Sequence, residues 1–272
     1  MASLGQIIFY TMITLIIVFL SLIILILALT FSGSLSVVQS LNRLPVANLG
    51  QDHVLSCFLP TDGEQSTFKR VSVTWEKTSL SGVVFRYEDG AESNGDQDSQ
   101  YSGRAELFTD AVVKGNASLL LRGVRRADEG EYTCGVSYSD GSGEVSIRLR
   151  TAAFTAPTFA FSDGALTAEA SRWFPKPNVT WLDVDGNVLR GNTDFQEKSA
   201  GMFRVVSTLQ PVNDSGTYTC RIHNRLVTAH ADATVTGSDI SGKTRFTYDA
   251  ASAPLASYDI IAMCIFCICF LL

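Results

Sequence analysis

Residues 128–134 read Asp128-Glu129-Gly130-Glu131-Tyr132-Thr133-Cys134, and this stretch, taken with Cys57 and Trp75, decides the fold. Cys57 lies 18 positions before Trp75 (75 − 57) and 77 before Cys134 (134 − 57). This spacing predicts a disulfide from an early strand of one β-sheet to a late strand of another, with the indole of Trp75 packed against it. Tyr132, two residues ahead of the second cysteine, can close a tyrosine corner. We therefore expect a two-sheet β-sandwich.

Short alternating runs surround this motif. Val71, Val73 and Trp75 alternate with Ser72 and Thr74, as in a strand with one buried and one exposed face. Similar runs, separated by Gly, Asn, Asp and Ser, continue through residues 35–237, and no long amphipathic helix interrupts them. The sequence therefore predicts an all-β fold.

The closing motif occurs twice, which predicts two tandem immunoglobulin-like sandwiches. The interval from Cys57 to Cys134 leaves room for extra strands, one of them at residues 83–87, so residues 35–150 are predicted to form a variable-type domain. Asp214-Ser215-Gly216-Thr217-Tyr218-Thr219-Cys220 then repeats the motif. Trp181 lies only 39 positions before Cys220 (220 − 181), which leaves no room for extra strands. Residues 151–237 are therefore predicted to form a constant-type domain.

The second domain lacks its first cysteine, because Ala168 stands at the position where the pattern expects one. Cys220 is then expected to be an unpaired, buried thiol that acts as a small apolar residue. A bridge to another molecule is the alternative. Since losing such a disulfide costs about 2 to 5 kcal/mol, this domain should depend more on packing or on its neighbour.

Composition and motifs exclude several classes of function. The formal net charge of −6 argues against a surface that binds nucleic acid. The three histidines, His53, His223 and His230, lie in no catalytic motif and have no metal-ligand spacing. We therefore expect no enzyme activity, no metal, no cofactor and no small-molecule substrate.

Apolar segments at both ends direct the chain to a membrane pathway. Residues 1–34 are predicted to be a signal sequence, although the run from Ile7 to Leu29 is long and no Lys or Arg precedes it, so an uncleaved anchor is the alternative. Residues 238–256 are expected to form a stalk, and residues 257–272 an apolar membrane-anchoring tail. That tail is short for a spanning helix, so a glycolipid anchor and a transmembrane segment both stay open.

Three glycan acceptor sequences begin at Asn116, Asn178 and Asn213. Together with the predicted signal sequence, they indicate an extracellular-facing protein at the cell membrane.

Two segments carry a family resemblance: Arg172-Trp173-Phe174-Pro175-Lys176-Pro177-Asn178-Val179-Thr180-Trp181 and Gly115-Asn116-Ala117-Ser118-Leu119-Leu120-Leu121. At these segments the chain resembles the butyrophilin-like costimulatory and coinhibitory ligands of the immunoglobulin superfamily. The opening Met1-Ala2-Ser3-Leu4-Gly5-Gln6-Ile7 and the stretch Gly103-Arg104-Ala105 strengthen a narrower match to one inhibitory member. The resemblance implies a tethered ligand that engages a receptor on T cells and restrains their activation, proliferation and cytokine production.

The resemblance also implies a salt bridge between Arg104 and Asp128 at the bottom of the variable-type sandwich. Two departures from the family pattern are Ala168 and the short C-terminal apolar tail without basic residues after it.

A protein partner is expected to dock on the sheet of the first domain that carries Trp75, since this sheet is the usual docking face of variable-type domains. Tyr and Arg are frequent interface anchors, which favours Arg86, Tyr87 and Tyr138. The other outward candidates in the sequence are Thr74, Glu76, Ser137 and Glu144.

Two other functions share this predicted layout. An antigen-receptor chain should carry a Phe-Gly-x-Gly bulge after its last variable strand, and residues 143–150 have none. A homophilic adhesion protein that uses the same sheet face is the more serious alternative.

Overall fold

The computed structural model describes residues 4–31, 38–60, 67–93, 95–139 and 141–249 and contains two tandem β-sandwiches, which confirms the predicted all-β class. An apolar helix, α1 (Leu4–Phe31), precedes them. Its segment Leu4–Ile26, with mean hydropathy 2.8, is long and apolar enough to cross a membrane, a test that a signal sequence also passes. The predicted C-terminal tail lies outside the described residues.

The first sandwich has a six-stranded sheet, in the order β1-β9-β8-β3-β4-β5, and a three-stranded sheet, in the order β2-β7-β6. Strands β4 and β5 are the additional strands of a variable-type domain. A short helix, α2 (Thr109–Val112), and a 3-10 turn (Arg126–Asp128) connect strands. The strands are β1 (Val46–Asn48), β2 (His53–Leu55), β3 (Ser72–Lys77), β4 (Phe85–Glu88), β5 (Ala91–Glu92), β6 (Ala105–Leu107), β7 (Leu119–Leu121), β8 (Gly130–Tyr138) and β9 (Gly141–Ala152).

A disulfide between Cys57 and Cys134 joins the two sheets of the first sandwich, with 6.6 Å between the Cα atoms. Trp75 is fully buried beside it, and the indole N–H donates to the carbonyl of Ala117 at 2.9 Å. The hydroxyl of Tyr132 donates to the carbonyl of Asp128 at 2.7 Å, which is the geometry of a tyrosine corner. Closing a loop of 77 residues stabilises the fold by about 4 kcal/mol in the chain-entropy account.

A buried ion pair closes the lower end of the first sandwich. The guanidinium of Arg104 meets both carboxylate oxygens of Asp128, at 2.6 and 3.3 Å. The two side chains are only 13% and 3% exposed. The backbone N–H of Arg125 also donates to this carboxylate, at 2.7 Å. Both charges are shielded from water and joined by two hydrogen bonds. Removing either side chain would therefore leave the other charge buried without its partner.

The second sandwich has a four-stranded sheet, in the order β10-β11-β15-β14, and a five-stranded sheet, in the order β13-β12-β16-β17-β18. The prediction that no extra strand fits between Trp181 and Cys220 is wrong in detail, because the two-residue strand β13 pairs with β12. The strands are β10 (Thr158–Ser162), β11 (Ala165–Trp173), β12 (Asn178–Leu182), β13 (Val188–Leu189), β14 (Gly191–Glu197), β15 (Phe203–Leu209), β16 (Ser215–His223), β17 (Val227–Thr236) and β18 (Asp239–Tyr248).

The core of the second sandwich repeats the first without its disulfide. Trp181 lies opposite Cys220 in the same way that Trp75 lies opposite Cys134. Cys220 is a free thiol with 0% exposure, and Ala168 belongs to the same buried cluster. The hydroxyl of Tyr218 accepts a hydrogen bond from the backbone N–H of Asn213 at 3.2 Å. Without a disulfide, these two sheets are joined by packing and by a buried hydrogen bond from the indole N–H of Trp181 to the hydroxyl of Ser207 at 2.8 Å.

The prediction that residues 238–256 form a stalk is wrong for its first part, which forms strand β18. Asp239–Tyr248 lies inside residues 238–256 but pairs antiparallel with β17 along its whole length, from Thr236 opposite Asp239 to Val227 opposite Tyr248. Ile240 and Phe246 are half-buried against the core, which explains why the segment pairs instead of remaining extended in solvent. The constant-type sandwich thus extends about ten residues beyond its predicted end.

Direct contacts join the two sandwiches. The guanidinium of Arg172 donates to the carbonyl of Leu49 at 2.7 Å, and that of Arg126 donates to the carbonyl of Ala200 at 2.5 Å. Arg126 also lies over the ring of Phe174, 3.6 Å from its centroid, in a cation–π contact. These contacts with the first sandwich therefore help to stabilise the second.

Replacement of Arg104 by Gln should destabilise the first sandwich by about 3 to 5 kcal/mol, because it leaves the carboxylate of Asp128 buried without its partner. Denaturant unfolding followed by tryptophan fluorescence measures this loss. Arg122→Gln is the matched control, since Arg122 and Glu106 are half exposed and screened by solvent. Equal effects of the two substitutions would contradict the assignment.

Cys220 should resist alkylation in the folded chain. Burial raises the pKa of its thiol to about 12, so roughly one molecule in ten thousand carries the reactive thiolate at pH 8. Peptide mass spectrometry after maleimide treatment should find this thiol unlabelled in the native protein and fully labelled in denaturant. Rapid native labelling would mean that the strand opens or that the thiol faces outward.

Candidate binding face

The outward face of the six-stranded sheet carries a straight row of neighbours across four strands. Arg86 on β4 lies opposite Thr74 on β3, Thr74 lies opposite Gly135 on β8, and Gly135 lies opposite Glu144 on β9. With neighbouring strands about 4.8 Å apart, the row spans about 14 Å. It runs from a cation at one end to a carboxylate at the other.

Two shallow depressions of 480 Å³ each lie along this face. One is lined by Thr74, Gly135 and Glu144, and the other by Glu76 and Arg86. Gly135 forms the floor of the first, because a Cβ atom built there would meet only the carbonyl of Thr74, at 3.8 Å. The face can therefore accept a protruding side chain of a partner.

Arg86 is already held in place at its end of the row. Its guanidinium contacts the carboxylate of Asp96 at 2.6 Å and that of Glu88 at 3.7 Å. Glu76 and Glu144 are exposed, and neither belongs to an ion pair among the described residues. The face thus presents one neutralised arginine and two open carboxylates.

The prediction that Tyr87 points outward is wrong. Tyr87 is 5% exposed and belongs to the core of the first sandwich, as does Phe85 two positions earlier. Successive side chains of a strand point to opposite faces, so Arg86 and Tyr87 cannot both face a partner. Of this pair, only Arg86 lies on the outward face.

Tyr138 lies at the end of β8 and is half-buried. Its ring packs edge-to-face on Phe68, with 5.2 Å between centroids, and contacts the core. Thr74 is also half-buried, whereas Glu76 and Glu144 are exposed. The structure therefore groups Thr74, Glu76, Arg86 and Glu144 and leaves Tyr138 at the margin.

Gly135 is not among the predicted site residues, because a glycine has no side chain that could make contacts. The signal was present, since Gly135 follows the buried Cys134 in an alternating strand and must face outward. An outward glycine among neighbours that carry side chains, such as Thr74 and Glu144, leaves a depression.

Among the described residues no group of three or more His, Cys, Asp or Glu side chains could hold a metal ion. His53 and His230 lie in different sandwiches, and burial lowers the pKa of each imidazole.

The three glycan acceptors differ in accessibility. Asn178 and Asn213 are exposed in the second sandwich. Asn116 is half-buried, and its side-chain oxygen accepts a hydrogen bond from the backbone N–H of Ser118. Ser118 is 1% exposed, and its hydroxyl accepts a hydrogen bond from the backbone N–H of Cys57.

Two family models match the chain, one in each sandwich. The immunoglobulin V-set domain matches residues 42–150. The butyrophilin subfamily 3 member A2-like Ig-C domain matches residues 162–231.

Three curated proteins match between 73% and 97% of the chain. The human V-set domain-containing T-cell activation inhibitor 1 is 34% identical over 97% of this chain and 95% of the human protein. The Rattus norvegicus protein of the same name is 34% identical over 90% of this chain and 89% of its own length. The CD276 antigen homolog of Xenopus laevis is 34% identical over 73% of this chain and 69% of its own.

Solved structures are also similar. The human B7-H4 IgV-like domain is 32% identical over 42% of this chain and 95% of that chain, with a TM-score of 0.37. Bovine butyrophilin is 23% identical over 79% of this chain and 98% of that chain, with a TM-score of 0.47.

Glycans are expected on Asn178 and Asn213, since both side chains are open to solvent. After expression in secreting eukaryotic cells, Asn178→Gln and Asn213→Gln should each increase electrophoretic mobility by one glycan, and enzymatic deglycosylation should abolish the difference. Unchanged mobility for either variant would contradict occupancy at that site.

Proposed function

Because the chain belongs to the family of the V-set domain-containing T-cell activation inhibitors, in the immunoglobulin superfamily, we propose that it is a cell-surface ligand that inhibits T-cell activation. It binds a protein receptor on T cells through the outward face of its six-stranded sheet and reduces their proliferation and cytokine production. The single observation that supports this most is the 34% identity to the human inhibitor over 97% of the chain.

The binding face supports the same proposal. The depression with Gly135 at its floor and Glu144 at its border can accept a side chain of the receptor. The unpaired carboxylates favour a receptor with basic side chains. The family consists of immunoregulatory ligands and not of enzymes.

The proposed topology places both sandwiches outside the cell. In this arrangement α1 is the signal sequence, and residues beyond Asp249 tether the protein. Exposure of Asn178 and Asn213, together with the disulfide between Cys57 and Cys134, supports an extracellular environment.

Homophilic adhesion through the same face is the alternative. The row from Arg86 to Glu144 has opposite charges at its ends, so two antiparallel copies could pair them. Arg86 is already neutralised by Asp96 and Glu88, which weakens this alternative.

Cells that display the full chain should suppress proliferation and cytokine release of T cells stimulated through their antigen receptor. Glu144→Arg reverses a charge beside the depression and should weaken suppression. Cells should need at least about ten times more displayed protein to reach the same suppression. Gly135→Gln fills the depression and should have a similar effect, and its Cβ atom would be in ordinary contact with the carbonyl of Thr74, at 3.8 Å.

Asp110→Arg is the matched control, since Asp110 is an exposed carboxylate of the same sandwich in α2. It makes the same change of charge away from the face and should preserve suppression. Equal surface display of all variants verifies folding. Absence of suppression by the parent chain would refute the proposal, and clustering of displaying cells without T cells would favour adhesion.

A further inference from the structure

The outward face of the five-stranded sheet in the second sandwich carries a second cross-strand row, and this one is cationic. Arg221 on β16 lies opposite His230 on β17, and His230 lies opposite Arg245 on β18. Their strand neighbours Cys220, Ala229 and Ala231 are buried, so all three row members face outward by alternation. Three basic residues thus stand opposite one another on adjacent strands.

Electrostatic contacts show that these side chains share one site. The pKa of His230 is lowered first by burial and then by the charges of Arg221 and Arg245. Asp232 acts in the opposite direction from its own strand, but its carboxylate also accepts a hydrogen bond from the hydroxyl of Thr219 at 2.6 Å. The row therefore carries an excess of positive charge, although the whole chain has a net charge of −6.

The arginines of this row have no carboxylate partner within the part of the chain that the structure describes. None of the ion pairs among the described residues includes Arg221 or Arg245, whereas Arg86, Arg104 and Arg204 each pair with an acid. Among the described residues, the buried Nε of Arg221 has no hydrogen-bond partner, and neither has the buried Nδ1 of His223, two positions along β16 on the same face. The unpaired charges of Arg221 and Arg245 are therefore available to an anionic partner.

At neutral pH the imidazole of His230 is uncharged, and the guanidinium charges of Arg221 and Arg245 lie on either side of it. Unpaired charges of one sign on one face attract a partner of the opposite sign. The donors do not converge on one point, because Arg221 and Arg245 are two strands apart, a distance of about 10 Å between backbones. A linear ligand with repeated negative charges fits this arrangement better than a single phosphate.

We propose that the row of Arg221, His230 and Arg245 binds a sulfated polysaccharide of the extracellular glycosaminoglycan class. The ligand class rests on the extracellular location in the proposed function, while the cationic row itself does not. This face lies in the second sandwich and is separate from the candidate binding face of the first.

The position of Asn178 bears on access to this row. Asn178 lies on β12, opposite His223, at one end of the same face. Arg245 lies on β18, three strands away, at the edge of the sheet, so that end of the row is distant from a glycan on Asn178. The test uses Asn178→Gln as its parent, which removes any effect of that glycan.

The full chain, purified in a neutral detergent, is applied to immobilised heparin and eluted with a salt gradient. A fluorescent heparin oligosaccharide gives the dissociation constant in solution. The parent should bind at low salt, and Arg221→Gln and Arg245→Gln should each weaken binding by roughly fivefold, since each removes one charged contact. The double variant should lose most of the binding.

Arg190→Gln is the matched control, because Arg190 is an exposed arginine of the same sandwich outside the row. It makes the same change of net charge and should leave the affinity unchanged. Equal weakening by Arg190→Gln, or no binding by the parent at low salt, would overturn the proposal. Unchanged thermal unfolding of the variants excludes misfolding as the cause of a loss.

Acidification supplies a second readout. His230 faces Arg221 and His223 on β16 and Arg245 and Lys243 on β18, with Asp232 beside it on β17. Its lowered pKa keeps it neutral at pH 7, and a bound polyanion favours its protonated form. Heparin affinity should therefore rise as the pH falls through the lowered pKa of His230, and His230→Gln should reduce this rise.

Vesicles that contain anionic lipid test the competing ligand. Binding to them with the same dependence on Arg221 and Arg245, without binding to heparin, would overturn the polysaccharide assignment. Failure of T-cell suppression with intact heparin binding would refute the proposed function alone, and the reverse result would refute this inference alone.

Discussion

The joint between the two sheets of each sandwich is the constraint on which the structure depends. In the first sandwich a disulfide makes this joint, and Trp75 packs against it. The second sandwich places Trp181 opposite Cys220 in the same register but has Ala168 instead of the second sulfur. It compensates with packing: strand β18 adds Ile240 and Phe246 to the core, and Arg172 and Arg126 bind it to the first sandwich.

Sequence periodicity predicted most of the fold because burial on one face of a strand repeats every second residue. The same rule explains the wrong prediction at Tyr87. Its residue type is common in interfaces, but its position in the alternation is on the buried face. Strand β18 was missed for a different reason. Its Ser241, Gly242 and Lys243 resemble a linker, and its apolar members Ile240 and Phe246 are too far apart to reveal a buried face. Its pairing with β17 depends on tertiary contacts, which the local sequence pattern does not show.

The binding residues were harder to predict than the core for a physical reason. A core position is determined by its own strand, whereas a surface site depends on which residues of other strands lie beside it. Glu144 and Arg86 are 58 positions apart (144 − 86), and only the register of four strands brings them into one row. The row of Arg221, His230 and Arg245 arises in the same way and carries no local motif.

The antiparallel return of β18 has a mechanical consequence. Tyr248 lies opposite Val227, where β17 begins, and the ring of Phe154 in the connection between sandwiches packs on Tyr248 and Phe246. A pulling force applied through the residues after Asp249, directed away from the first sandwich, would load the ladder at that end. It would peel β18 from β17 one pair at a time instead of shearing all ten pairs together. Complete peeling would lengthen the molecule by about 33 Å and uncover the edge of β17.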